Sequence, residues 1–185
     1  LNSIAPYGQL RYRQDAKVAI NDPEYSGPIL INSSSEVSAS VFFGSEQIGS
    51  DFRQSFRYHK AMGKSVTLRK QPAVSYNTGG AFSLIDGITG RRPWTGSEWL
   101  GWWGDTLDAV IDLGKIDSIK SVGLYTLHDP GSWIYYPEHA DVYTSVDGKT
   151  YTRMNGLPNV LSPGGGPNIN VFVRDRFSAR YIRVV

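Results

Sequence analysis

Apolar residues in this chain recur at every second position, and helical spacing is almost absent. Val37, Ala39, Val41 and Phe43 alternate with smaller or polar residues, as do Val66 and Leu68, then Ile169, Val171 and Val173. A strand sends successive side chains to opposite faces, so period-two runs mark half-buried strands, while a helix needs a period near 3.6. Gly, Pro, Asn and Asp clusters bound these runs, and 20 Gly and 10 Pro are spread along the whole sequence. Asp147-Gly148, between 141–146 and 149–152, predicts a tight hairpin, because its second turn position must tolerate positive φ. The pattern predicts a sandwich-like all-β protein.

With 185 residues the chain can form one large domain or two small ones. Composition shifts along it: all five Trp fall between Trp94 and Trp133. The segment His59-Lys60-Ala61-Met62-Gly63-Lys64 is polar and glycine-containing, as linkers are. Two domains are therefore expected, 1–61 and 62–185. No apolar run approaches the ~20 residues of a membrane span, and no membrane partner is expected. Beginning at Leu1 with no cleavable signal, the chain reads as a mature or excised piece.

Several chemistries are excluded. There is no cysteine, so disulfides, thiolate metal sites and cysteine nucleophiles are absent. Basic residues are scattered, with no run longer than Arg91-Arg92 and a net charge of only +2, so no nucleic-acid partner is expected. Gly63-Lys64-Ser65 and Gly148-Lys149-Thr150 mimic the end of a phosphate loop. However, Tyr58 and Tyr143 stand where its first glycine is needed. His59, His128 and His139 are too scattered for a zinc site and read as surface or loop residues. Asp105, Asp108 and Asp112 fall in or beside a strand and read as solvated or turn carboxylates rather than an acid/base set. No two acidic residues are adjacent anywhere.

The aromatic loops remain. Trp94, Trp99, Trp102 and Trp103 sit among Gly, Thr, Ser and Asp, a loop composition. Trp133, Tyr135 and Tyr136 follow His128-Asp129-Pro130-Gly131 in another. Sugars rest flat C–H faces on indole or phenol rings, while their hydroxyls need convergent polar partners. Trp133 is the candidate platform. Tyr135, Tyr136, Trp99 and Trp102 are further ring candidates, and His128 and Arg92 are hydrogen-bond partners, with Asn155 and Asn159 in reserve. The competing reading makes these rings wedges that close the core at one end, with Trp94 and Trp103 as its best examples. Asp86, in Asp86-Gly87, is either an ordinary turn residue or a metal ligand.

From Ala81 onward the order of signals resembles the coagulation factor 5/8 type C, or discoidin, family. The matching segments are Ser83-Leu84-Ile85-Asp86-Gly87, Val110-Ile111-Asp112-Leu113-Gly114-Lys115, Ile119-Lys120-Ser121-Val122, Val142-Tyr143-Thr144-Ser145-Val146-Asp147-Gly148-Lys149 and Ala179-Arg180-Tyr181-Ile182-Arg183-Val184. Gly131-Ser132-Trp133-Ile134-Tyr135-Tyr136-Pro137 is similar to the version found behind the barrel of bacterial β-N-acetylhexosaminidases. Tyr25-Ser26-Gly27-Pro28-Ile29, Val37-Ser38-Ala39 and Phe43-Gly44 resemble the small sandwich following a chitobiase-type barrel.

The resemblance implies two tandem β-sandwiches, a small immunoglobulin-like one and a galactose-binding-domain-like jelly roll. It implies a non-catalytic accessory region of a secreted or periplasmic bacterial glycoside hydrolase, tethering that enzyme to Gal- or GlcNAc-containing glycans. Its implied partners are glycans and a catalytic domain in cis. A structural calcium ion at Asp86 is also implied, although the acidic strand usual after the Tyr181-Ile182-Arg183-Val184 segment does not follow Val185. A (β/α)₈ barrel needs ~250 residues and alternating helices, so this piece itself is expected to lack catalysis. Two rival functions stay open: a purely structural buttress, and an adhesion module with Leu100, Trp102 and Trp103 as exposed spikes.

Overall fold

A computed structural model describes residues 7–91, 93–155, 168–174 and 176–185, with side chains omitted for 168–172. The protein is all-β: its regular elements are strands β1 (Gln9–Gln14), β2 (Ser35–Phe43), β3 (Glu46–Phe56), β4 (Ser65–Leu68), β5 (Ala109–Ile119), β6 (Val122–Thr126), β7 (Val142–Ser145), β8 (Thr152–Arg153), β9 (Asn168–Val173) and β10 (Phe177–Val184), with three short 3₁₀ turns. The chain divides into two compact units, Leu1–His59 and Lys60–Val185.

In the first unit the described residues form one antiparallel sheet of order β1-β2-β3. Glu24 bridges to Arg11 on the outer side of β1. The alternation in β2 puts Val37, Ala39, Val41 and Phe43 on one face, beside Leu10 and Tyr12 of β1 and Ile48 and Phe52 of β3. The other face is largely polar, with Arg11, Arg13, Ser38, Ser40 and Arg53 in register, but it also carries the buried Phe42. Ser38 and Ser40 are buried there, and the Ser40 hydroxyl donates to Asp51 at 2.7 Å.

The second unit has a five-stranded sheet of order β4-β5-β10-β7-β8 and a two-stranded sheet, β6-β9. Every pairing is antiparallel. Leu113 and Ile119 of β5, Val142 of β7 and Ala179, Ile182 and Val184 of β10 form one core with Val173 of β9. Val122 and Leu124 of β6 pack against it. Two sheets therefore share one apolar interior, the arrangement that lets each bury its hydrophobic face.

Strict alternation along β10 would make Arg180, Ile182 and Val184 face inward together. Instead the pairing with β5 shifts between Ala179 and Tyr181. That bulge changes the phase, so Ala179 joins Ile182 and Val184 in the core and Arg180 is turned out. Arg180 then forks onto Asp112 through Nε at 2.8 Å and Nη2 at 2.9 Å. Arg183 does the same to Asp108, at 2.8 and 2.7 Å, and lies 5.6 Å from the Tyr143 ring centre. Asp108 and Asp112 are thus ion-paired to the sheet, and Asp108 is buried. For these two the expectation of solvated carboxylates fails because the neighbouring strand β10 brings a guanidinium within bidentate reach of each, whereas Asp105, 48% exposed and bonded to the Thr106 N–H, meets it.

β7 and β8 pair around Asp147-Gly148, but the connection is longer than the tight turn the sequence predicts: Thr144 faces Thr152, and 146–151 lie outside both strands. Gly148 has φ 73° and sits under the Tyr181 ring, where an added Cβ would lie 3.0 Å from a ring carbon. Ser145 and Asp147 clamp the turn: one Asp147 oxygen accepts the backbone N–H groups of Lys149 and Thr150, both at 2.9 Å, and the Ser145 hydroxyl at 2.8 Å. These bonds to the charged form hold the Asp147 carboxyl at about 2.

Candidate functional site

Strand β6 ends at Thr126 and delivers His128 into a short, tightly closed loop. Asp129 and Ile134 pair across its base, with N–H groups donated in both directions at 2.9 and 3.1 Å. Inside it, Pro130–Ser132 make one 3₁₀ turn. The Ser132 hydroxyl donates to the Asp129 carboxylate at 3.0 Å, and its N–H to the Asp129 carbonyl at 2.9 Å. The loop therefore satisfies most of its own polar groups before any ligand arrives.

Trp133 terminates that turn in the left-handed region, at φ 59° and ψ 28°. A bulky residue there costs roughly 1–2 kcal/mol against its usual conformation. The strain is not repaid by burial, since Trp133 is 83% exposed. An indole wedged under a loop would be covered; this one is held out in solvent.

Beside it, Tyr135 is 60% exposed while Tyr136 is buried. Successive residues of an extended segment point to opposite sides, so only one of the pair can anchor the chain. His128 lies against both, its ring centre 4.8 Å from that of Tyr136 and 6.0 Å from that of Tyr135. Trp133, Tyr135 and His128 thus belong to one loop and its entry, with Tyr136 as their footing.

The other candidates are elsewhere or differently used. The Trp99 ring stacks on Tyr125 of β6 at 5.8 Å and 15°, and its Nε1–H donates to the Arg91 carbonyl at 2.8 Å. Gly90 makes room for it, since a Cβ there would lie 2.3 Å from the indole. Trp102 is half-buried and donates from Nε1 to the Lys70 carbonyl at 3.2 Å. Trp94 meets Tyr76 edge to face at 5.5 Å. These three rings fasten the long loop between Leu84 and Ala109 to the sandwich. Trp103, expected as a core-closing ring, is instead 79% exposed. Its neighbour Trp102 takes the anchoring role, and adjacent side chains cannot both turn inward. Asn155 is exposed, whereas Arg92 and Asn159 lie outside the described residues.

Asp86 sits in a turn in which its Oδ1 accepts the Ile88 N–H at 2.8 Å. Burial raises its carboxyl above the usual range, and the charge of Glu98 adds to the shift. One oxygen is thus spent on the backbone. Among the described residues no group of three His, Cys, Asp or Glu side chains converges on a metal-sized space. A calcium ion would have to take most of its ligands from main-chain carbonyls.

No trait of composition marks Trp133 as left-handed, and no sequence rule would have found it. Gly90 and Gly101 admit the Trp99 and Tyr76 side chains closely, a fit that only the folded chain reveals.

No family model matches this chain, and no curated protein matches it. Among solved structures, the chain is similar to the lectin domain of lectinolysin complexed with Lewis B antigen, at 20% identity and a TM-score of 0.48, covering 68% of this chain and 82% of that one. It is also similar to chitosan-binding module 1 of a chitosanase/glucanase from Paenibacillus sp. IK-5, at 19% identity and a TM-score of 0.44, covering 69% and 85%. Module 2 of that enzyme, in complex with chitotriose, gives 17% identity and a TM-score of 0.39 over 68% and 85%. At TM-scores below 0.5 these are loose likenesses and carry no functional weight.

Proposed function

We propose that the second unit is a discoidin-like carbohydrate-binding module with Trp133 as its stacking platform. The observation that carries this is a strained, left-handed Trp133 presented 83% exposed on a loop braced by its own hydrogen bonds. Strain that earns no packing is the mark of a residue kept for contact with something else. The exposed Tyr135 ring and His128 supply a second apolar surface and a hydrogen-bonding edge at the same loop.

Magnitudes set what such a site needs. Covering ~100 Å² of one indole face is worth ~2.5 kcal/mol. A millimolar dissociation constant takes about 4.1 kcal/mol, so polar partners must supply the remainder. In this proposal His128 and the Tyr135 hydroxyl are those partners, and the ligand is a neutral Gal- or GlcNAc-type residue. The module serves as an exported accessory region of a bacterial β-N-acetylhexosaminidase-type glycoside hydrolase. It raises local substrate concentration without doing chemistry. A structural calcium at Asp86 belongs to the same proposal.

The test is calorimetric titration of the whole chain with N-acetylglucosamine, galactose and their β-linked oligomers. Saturable heats that vanish in Trp133→Ala are expected. Flat titrations with every sugar would leave the module a structural buttress.

A further inference from the structure

The sheet of the first unit has one polar and one apolar face, and they are not equally covered. On the apolar face Val37 and Ala39 are buried, whereas towards its other end Phe43 is 63%, Phe52 50% and Ile48 46% exposed. Leu10, Tyr12 and Val41 lie among them and are half-buried. Leu10, Val41, Ile48 and Phe52 line one depression together with Ala39, Ser40 and Ser50. Three strands with an apolar face need a second layer to bury it.

We propose that this face is a self-association surface, covered by the same face of a second copy of the chain. Two properties favour a second copy over a partner of different chemistry. The first is charge. The sheet's arginines and most of its carboxylates (Arg11, Arg13, Arg53, Glu36 and Asp51) belong to the opposite face, and within the apolar face only Glu46, at the start of β3, is charged. A two-fold axis sets the patch against the same patch of the copy, so a face almost free of charge is what self-contact tolerates. The second is area. Phe43, Ile48 and Phe52 hold out roughly 300 Å² of surface. With their half-buried neighbours the face offers roughly 500 Å² per chain, which meets the ~1,000 Å² total of a modest specific interface. Twisted sheets pack face to face about 10 Å apart, and their side chains interdigitate without backbone change.

Sedimentation equilibrium of the whole chain tests this. At tens of micromolar the mass should approach twice 20.5 kDa. Phe52→Glu and Phe52→Lys should each return it to 20.5 kDa, with circular dichroism showing that both remain folded. Mixing the two variants should restore the double mass, since opposite charges then meet across the axis. If Phe52 variants fail to fold, Ile48→Glu, nearly half-exposed and at the same depression, replaces them with the same expected result. A wild-type chain that stays at 20.5 kDa to hundreds of micromolar overturns the proposal. So does a dimer that survives every one of these charges. Sugar titrations are read on a different unit, so failure here leaves the Trp133 site untouched.

Discussion

Replacing Trp133 by glycine and by alanine separates a contact platform from a structural wedge. Trp133 is 83% exposed, so only about 40 Å² of a ring-bearing side chain of roughly 250 Å² is covered, which is worth ~1 kcal/mol. Its left-handed backbone, at φ 59°, costs roughly 1–2 kcal/mol that glycine does not incur and alanine does. Glycine also gives up ~0.5–1 kcal/mol more chain entropy on folding. The balance predicts that Trp133→Gly changes stability by less than ~1 kcal/mol, and that Trp133→Ala is the less stable of the two by about 1 kcal/mol. That order is the reverse of the one seen at ordinary positions. Both variants lose the ~2.5 kcal/mol of ring contact with a sugar, about 70-fold in affinity. Urea denaturation followed by circular dichroism gives the first pair of numbers, and calorimetry the second. Were the indole a wedge, either substitution would cost the ~3–5 kcal/mol of a buried Trp truncation. A loss above 2 kcal/mol in Trp133→Gly would refute the reasoning.

Four further outcomes are expected. Gly90→Ala drives a methyl into the Trp99 indole and should cost roughly 1–3 kcal/mol, with loss of the near-ultraviolet signal of the Trp99–Tyr125 stack. Asp108→Ala leaves the three-quarters-buried Arg183 guanidinium unpaired and should cost about 2 kcal/mol in urea titrations, short of a fully buried pair because Arg183 keeps some water. The Asp147 carboxyl is held at about 2 against 3.8 for an ordinary aspartate, so its stabilisation is present above pH 3.8 and is lost as pH falls through about 2. The gap in urea midpoint between wild type and Asp147→Ala should therefore narrow over that window and be constant above it. Asp86 is shifted the other way, so its ionised form opposes folding at neutral pH and the penalty fades as pH falls through its raised pKa. With chelator present, Asp86→Asn should raise the melting temperature; added calcium should raise that of the wild type and not of the variant.

The strands were legible because their signal is local. Val66 and Leu68 lie in β4, 169–173 in β9, and the Asp147-Gly148 turn joins β7 to β8 as its positive φ requires. The Trp-bearing stretch was legible as a loop, since no strand forms among the described residues between Leu68 and Ala109. What each ring does was not. Trp102 and Trp103 are identical in type and adjacent, and only the Lys70 carbonyl, 32 residues away, decides which one anchors. The pairing of Asp108 and Asp112 with Arg183 and Arg180 spans 75 and 68 residues, and depends on a bulge that no alternation rule announces. In β2 the period-two reading finds Val37 and Ala39 but misses Ser38 and Ser40, buried on the opposite face, where Ser40 donates to Asp51 and the Ser38 hydroxyl has no hydrogen-bond partner among the described residues.

The irregular pairing at which β5 runs from Asp112 to Asp117 while β10 runs only from Tyr181 to Ala179 has a consequence for how the sheet chooses its partners. Arg180 and Arg183 stand three apart, whereas Asp112 and Asp108 stand four apart, and neither pair is directly opposite, since Arg183 faces Val110 and Asp112 faces Tyr181, so each guanidinium reaches its carboxylate diagonally. Only one alignment of the two strands lets both forks close. A slip of one position opens both locks at once and turns arginine toward oil, so a mispaired β5–β10 ladder dissolves instead of persisting as a trap.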